Sequence, residues 1–153
     1  NFDLGQVTWV EDSSGGYDLI YDEDDTSLTA HTGDYLAWLG GYNNALDDLY
    51  QTITVPSWAA SGNVVCYLQI TTNESGSTAY DYLYFKLQTT GGSNLTTIAT
   101  LDNTDAVSSW TQYTWPVTVS SYAGQSIRFL IEADNDSSYS SSFYVDTCTF
   151  IVN

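Results

Sequence analysis

The chain has 153 residues and sets 19 Asp and Glu against two Lys and Arg, a formal charge of -17. A nucleic-acid partner needs basic side chains to displace phosphate counterions, and an anionic membrane surface makes the same demand, so both are excluded as partners. The length suits one domain with a real core, and no apolar run approaches the roughly 20 residues of a transmembrane helix. There is no methionine, so the expectation is a single module, residues 1–153, excised from a larger secreted protein.

Helix signals are scarce, and Thr, Ser, Tyr, Val and Ile crowd the chain between turn residues. A short strand is expected over Val7 to Glu11, followed by a turn at Ser13-Ser14-Gly15-Gly16. The run Asp22-Glu23-Asp24-Asp25 lacks the alternating-oxygen spacing of an EF-hand and reads as a solvated loop. Strands follow at Leu36 to Leu39 and Tyr50 to Val55, separated by Gly40-Gly41. In the next, Val64, Cys66, Leu68 and Ile70 share one face while Tyr67 and Gln69 point to the other. Leu83, Phe85 and Leu87 then face inward, with Tyr82, Tyr84 and Lys86 outward. Strands at Leu95 to Leu101, Trp110 to Val117, Ile127 to Ala133 and Phe143 to Val152 complete the set, and the polar stretch Asp134 to Ser142 reads as a loop. Eight or nine strands without a repeat or linker describe an all-β jelly-roll β-sandwich of two antiparallel sheets.

The chemistry available is narrow. A Ser-His-Asp hydrolase needs a histidine base, and His31 is the only histidine and sits in a turn. No Gly-x-Ser-x-Gly elbow surrounds a serine, and nothing has zinc-ligand spacing. With 19 carboxylates a glycosidase pair is arithmetically available, yet nothing singles one out. The chain reads as non-catalytic. Cys66 and Cys148 are the only cysteines; they form one disulfide or remain two buried thiols. The disulfide would close a long loop and stabilise the fold by up to about 4 kcal/mol.

Five Trp, 13 Tyr and five Phe exceed what a core of this size requires. Aromatic faces with few cations suit sugar binding, where rings stack on pyranose units and polar side chains hold the hydroxyls. If Ala37 and Leu39 point inward, Trp38 points outward, so Trp38, Tyr67, Gln69 and Tyr84 are the expected ligand-binding platform. The alternative is that these residues are strand formers covered by loops. Tyr113 and Trp115 read as core, and Trp110 as the cover of an edge.

Three stretches carry a resemblance. They are His31-Thr32-Gly33-Asp34-Tyr35-Leu36-Ala37-Trp38-Leu39-Gly40-Gly41-Tyr42 with Tyr50-Gln51-Thr52-Ile53-Thr54-Val55-Pro56, then Trp110-Thr111-Gln112-Tyr113 leading into Ser121 to Phe129, and Ser142-Phe143-Tyr144-Val145-Asp146. In that order they resemble jelly-roll domains of the carbohydrate-binding-module superfamily, especially the variant appended to secreted bacterial and archaeal peptidases. The resemblance implies a structural calcium held by Asp3, Asp34 and Asp146, with carbonyls around Thr32 and Gly33. Calcium takes six to eight oxygens, and Asp146 interrupts an apolar segment where a buried carboxylate needs a partner; the alternative puts it on the solvent face of an edge strand. Glu74, Asp81, Asp134 and Asp136 flank loops that could converge on a second ion. The resemblance further implies a secreted accessory module that carries parent enzyme domains of the same chain to a polysaccharide or glycan. The alternatives are a stabilising or protein-docking domain of a secreted peptidase, and an adhesive module of a cell-surface protein. Asn73, Asn94 and Asn135 begin glycosylation sequons, which matter only in a eukaryotic secretory host.

Overall fold

Period-two alternation of buried and half-exposed residues builds nearly every strand. The computed structural model describes Phe2 and residues 8–153. Among these it has ten strands: β1 (Val10–Ser13), β2 (Ile20–Asp22), β3 (Tyr35–Gly40), β4 (Leu46–Thr54), β5 (Ser61–Thr72), β6 (Tyr82–Thr89), β7 (Asn94–Asp102), β8 (Val107–Thr118), β9 (Ser126–Asp134) and β10 (Ser141–Val152). They form two five-stranded antiparallel sheets, β1-β4-β9-β6-β7 and β2-β3-β10-β5-β8, packed as a jelly-roll sandwich.

The core is the set of inward residues. Val64, Cys66, Leu68 and Ile70 of β5 are buried, as are Leu83, Phe85 and Leu87 of β6, Ile127, Phe129 and Ile131 of β9, and Phe143 and Val145 of β10. Each such large side chain contributes roughly 1.5–3 kcal/mol on burial, and a one-residue slip of a strand would turn its whole set outward. Register is therefore held by the core itself. Tyr113 and Trp115 pack against it from β8, as expected of them.

Two departures from the sequence reading stand out. Ile20-Tyr21-Asp22 forms a strand on β3 that three residues were too short to announce. The first expected strand starts later than proposed, at Val10, and Val7 lies outside the described residues. Cys66 of β5 is joined to Cys148 of β10, adjacent strands of one sheet, across a sequence separation of 82.

β10 is broken in register between Asp146 and Thr149 as it runs along β5, and Thr147 takes φ 49 there. It pairs with β3 only from Ser142 to Val145. Where β10 parts from β3, the His31–Asp34 turn comes in, and Thr32 donates its backbone N–H to Asp146 Oδ2 at 2.9 Å.

Candidate functional site

The outward side of β2-β3-β10-β5-β8 carries a band of rings. Trp38 of β3 lies opposite Tyr144 of β10, which lies opposite Gln69 of β5. Tyr21 of β2 extends the row: its ring centroid is 5.6 Å from that of Trp38, and Trp38 is 5.4 Å from Tyr144. Offset and tilted contacts at these spacings favour aromatic pairs, so the three rings hold one another in place and all remain half-buried.

Past Trp38 the strip opens into a cleft of about 210 Å³ lined by Tyr17, Asp18, Leu19, Tyr21, Trp38, Gly40, Gly41, Tyr42 and Asp47. Local backbone chemistry builds it. Gly40 and Gly41 take φ of 74 and 83, the left-handed region in which glycine is unstrained. A Cβ on Gly40 would come within 2.6 Å of Ser141 O, and one on Gly41 within 3.0 Å of Trp38 Nε1. Asp47 is buried; its Oδ2 accepts from Gly40 N at 2.8 Å and its Oδ1 from the Tyr42 hydroxyl at 2.7 Å, which pins the turn to β4. The exposed Tyr17 ring packs edge-on against Tyr42 at 5.2 Å. Partial burial pushes the Tyr21 hydroxyl above its ordinary value, and Asp18, Asp47 and Glu11 push it the same way. The Trp38 indole N–H is buried without an acceptor among the described residues.

The expected platform is thus divided. Trp38 and Gln69 share the outer face of one sheet. Tyr67 shares it too, but His31 stacks on its ring at 3.6 Å and 17°, and its hydroxyl donates to Gln112 Oε1 at 2.8 Å. Trp110 stands edge-on to the same His31 and donates to Thr29 O. Tyr84 does not belong to the platform. β6 lies in the other sheet, where Tyr84 stacks on Tyr82 at 5.8 Å and under Lys86 at 4.3 Å. Its strand parity was read correctly, but two outward faces exist and parity does not choose between them. Tyr17, Tyr21, Tyr42 and Tyr144 were not singled out in the sequence. The available signal was a tyrosine directly after two of the glycine turns, Gly16-Tyr17 and Gly41-Tyr42.

Of the expected calcium ligands, Asp3 lies outside the described residues. Asp146 is fully buried, not on the solvent face of an edge strand: it pairs with Tyr67 of β5 on one side, and the His31–Asp34 turn closes over it where the pairing with β3 has ended. Burial pushes its carboxyl up, and backbone N–H groups of Thr32, Thr147 and His31 pull the other way. Asp34 lies at the exposed end of the same turn, where its carbonyl accepts from Glu23 N. Elsewhere, Glu74, Asp81 and Asp136 bring one carboxylate oxygen each within 4.8 Å of one another. Buried Asp81 there accepts from Asp136 N and the Ser141 hydroxyl. Asp134, expected with them, ends β9 opposite Leu46 and Tyr82 and is exposed, outside the converging group. The Asp22–Asp25 run forms a 3-10 turn capped by Asp22, with Glu23 accepting from Ala30 N.

No family model matches the chain, and no curated protein matches it. Solved structures do. TmCBM61, a carbohydrate-binding module solved in complex with β-1,4-galactotriose, matches with a TM-score of 0.60 and 12% identity over 99% of this chain and 94% of its own. A structure described as CBM4 structure and function matches at 0.56 and 12% over all of both chains. The K1 cleaved adhesin domain of Lys-gingipain from Porphyromonas gingivalis W83 matches at 0.57 and 8% over 92% of this chain and 91% of its own. At these identities the likeness shows the fold: the chain shares the jelly roll of carbohydrate-binding modules and of adhesin domains.

Proposed function

We propose that this chain is a non-catalytic carbohydrate-binding module that holds a parent secreted enzyme against a glycan. The observation that carries this is the Tyr21–Trp38–Tyr144 strip, with Gln69 beside it, running into the cleft. Ring faces in line offer stacking surface to successive sugars, and Gln69 and the exposed Asp18 at the cleft offer hydrogen bonds to hydroxyls. The fold likeness to carbohydrate-binding modules supports the reading. Affinity electrophoresis on a panel of soluble polysaccharides, with sedimentation on insoluble ones, tests it. Retention that is lost in Trp38→Ala and kept in Tyr84→Ala is the expected result. Absence of retention on every polysaccharide would falsify it and leave the adhesive or protein-docking reading, which the likeness to a gingipain adhesin domain favours.

A structural calcium is part of this proposal. Asp146 accepts from Thr32 N in the His31–Asp34 turn, with the Thr32 and Thr147 hydroxyls paired beside it; with Asp34 of the same turn these would give an all-oxygen donor set of the kind calcium prefers. The ion would offset the cost of a buried carboxylate in a chain with only two cations. Calcium is expected to raise Tm over the chelator-treated protein, and Asp146→Asn to abolish the rise. A rise that survives Asp146→Asn and vanishes in Asp81→Asn would move the ion to the Glu74–Asp81–Asp136 group.

A further inference from the structure

The cleft differs from the strip that leads into it. Four rings line it, Tyr17, Tyr21, Trp38 and Tyr42, and the charged groups among its lining residues are carboxylates, Asp18 and Asp47. The rings stand as two angled pairs, Tyr17 against Tyr42 at 67° and Tyr21 against Trp38 at 50°. Ring faces carry the negative lobe of the aromatic quadrupole and attract a cation placed over them. Nearby carboxylates add to the same field, since Asp18, Asp47 and Glu11 all bear on the Tyr21 hydroxyl. Asp47 and Glu11 are held by hydrogen-bond donors, but no Lys or Arg stands beside these carboxylates. Lys86 and Arg128, the only Lys and Arg of the chain, lie on β6 and β9 of the other sheet, over Tyr84 and Tyr50. The size also decides something. A cavity of about 210 Å³ falls below the roughly 300–1,000 Å³ of sites that enclose a drug-sized ligand, so it suits one terminal ring rather than a run of sugars.

We infer that the cleft selects the protonated amine of an amino sugar, and that a glycan lying on the Tyr21–Trp38–Tyr144 strip is read by a cationic terminal residue. This rests on the glycan-binding reading. Trp38 and Tyr21 belong to both strip and cleft, so a chain stacked on the first delivers its end to the second. Uronic-acid and sulfated glycans are disfavoured by the same carboxylates. N-acetylation removes the charge and with it the preference.

The test is isothermal titration of the full chain with oligosaccharides of equal length: glucosamine oligomers, N-acetylglucosamine oligomers, glucose oligomers and galacturonate oligomers. The glucosamine oligomer is expected to bind tightest, about tenfold or more over its N-acetylated counterpart, with that margin shrinking as salt is raised. Asp18→Asn, at an exposed position, is expected to narrow the margin several-fold with Tm unchanged. Neutral oligomers that bind as tightly as the amine, in a Trp38-dependent manner, overturn the charge selection and leave glycan binding standing. A margin indifferent to both salt and Asp18→Asn overturns the assignment to this cleft. No binding by any of the four, together with no retention on the polysaccharide panel, overturns the glycan reading itself.

Discussion

On the outer face of β1-β4-β9-β6-β7, Lys86 meets Glu132 at 2.7 Å and covers Tyr84, and Arg128 covers Tyr50. Across the outer face of β2-β3-β10-β5-β8, rings meet rings and the cleft is edged by carboxylates. A molecule with two cations has placed both on one side. There the tyrosines and glutamate are engaged internally, so outward residues on that face stabilise the sheet. On the other side the rings around the cleft present surface and negative field with neither Lys nor Arg over them, which is the arrangement a ligand can complete. Outward aromatic residues alone do not mark a site; what stands over them does.

The largest test of this contrast is covalent. The disulfide staples only the ring-bearing sheet, β5 to β10. Cys66→Ala with Cys148→Ala is expected to cost about 4 kcal/mol in denaturant unfolding, from the chain entropy of a long closed loop. A loss well under 1 kcal/mol would show that the sheet does not depend on its staple. Next comes Trp38→Ala, expected to weaken glycan binding by roughly thirtyfold, as removal of a central aromatic anchor does, while Tyr84→Ala leaves binding unchanged. Equal losses from both would erase the difference between the faces.

A smaller effect follows from Asp48, whose carboxyl is pushed up to about 6 by burial, then by Glu132 and Asp12, against the pull of Lys86. Its Oδ1 is buried without a partner. Because the folded value lies above the unfolded one, its contribution is fully present below the ordinary value of 3.8 and is lost as pH rises through about 6. Asp48→Asn is therefore expected to be more stable than the parent above that pH, by about 1 kcal/mol once solvent screening is allowed for. The gain should fade in acid; a gain independent of pH would assign it to packing. The smallest is Lys86→Met, expected to lose under about 1 kcal/mol as part-exposed pairs do, and to move the titration midpoint of Asp48 to still higher pH, read by NMR.

Alternation made the inward faces of β5, β6, β9 and β10 legible, because burial demands a period of two. It could not assign Tyr84 to a sheet, since strand order depends on contacts far apart in sequence. Nor could it foresee His31 on Tyr67, which depends on the register break after Asp146 admitting a distant turn. The cleft was the least legible part. Tyr17 and Tyr42 lie in turns, where no periodicity separates a wall from a bystander.

The edges of the two sheets carry a further consequence. Of the four edge strands among the described residues, β1 and β2 have four and three residues, each bearing carboxylates, the long β8 includes Pro116, and β7 is the nine-residue edge whose pairing with β6 is broken by two register shifts. An open sheet edge is a template for a second copy, and short, charged or proline-bearing edges deny that copy a ladder. Acidity here thus serves as colloidal protection as well as a field for ligands. That protection is electrostatic at β1 and β2, so it weakens as the screening length falls from about 10 Å at 0.1 M salt to about 3 Å at 1 M. At β8 it is built into the backbone and holds at any ionic strength.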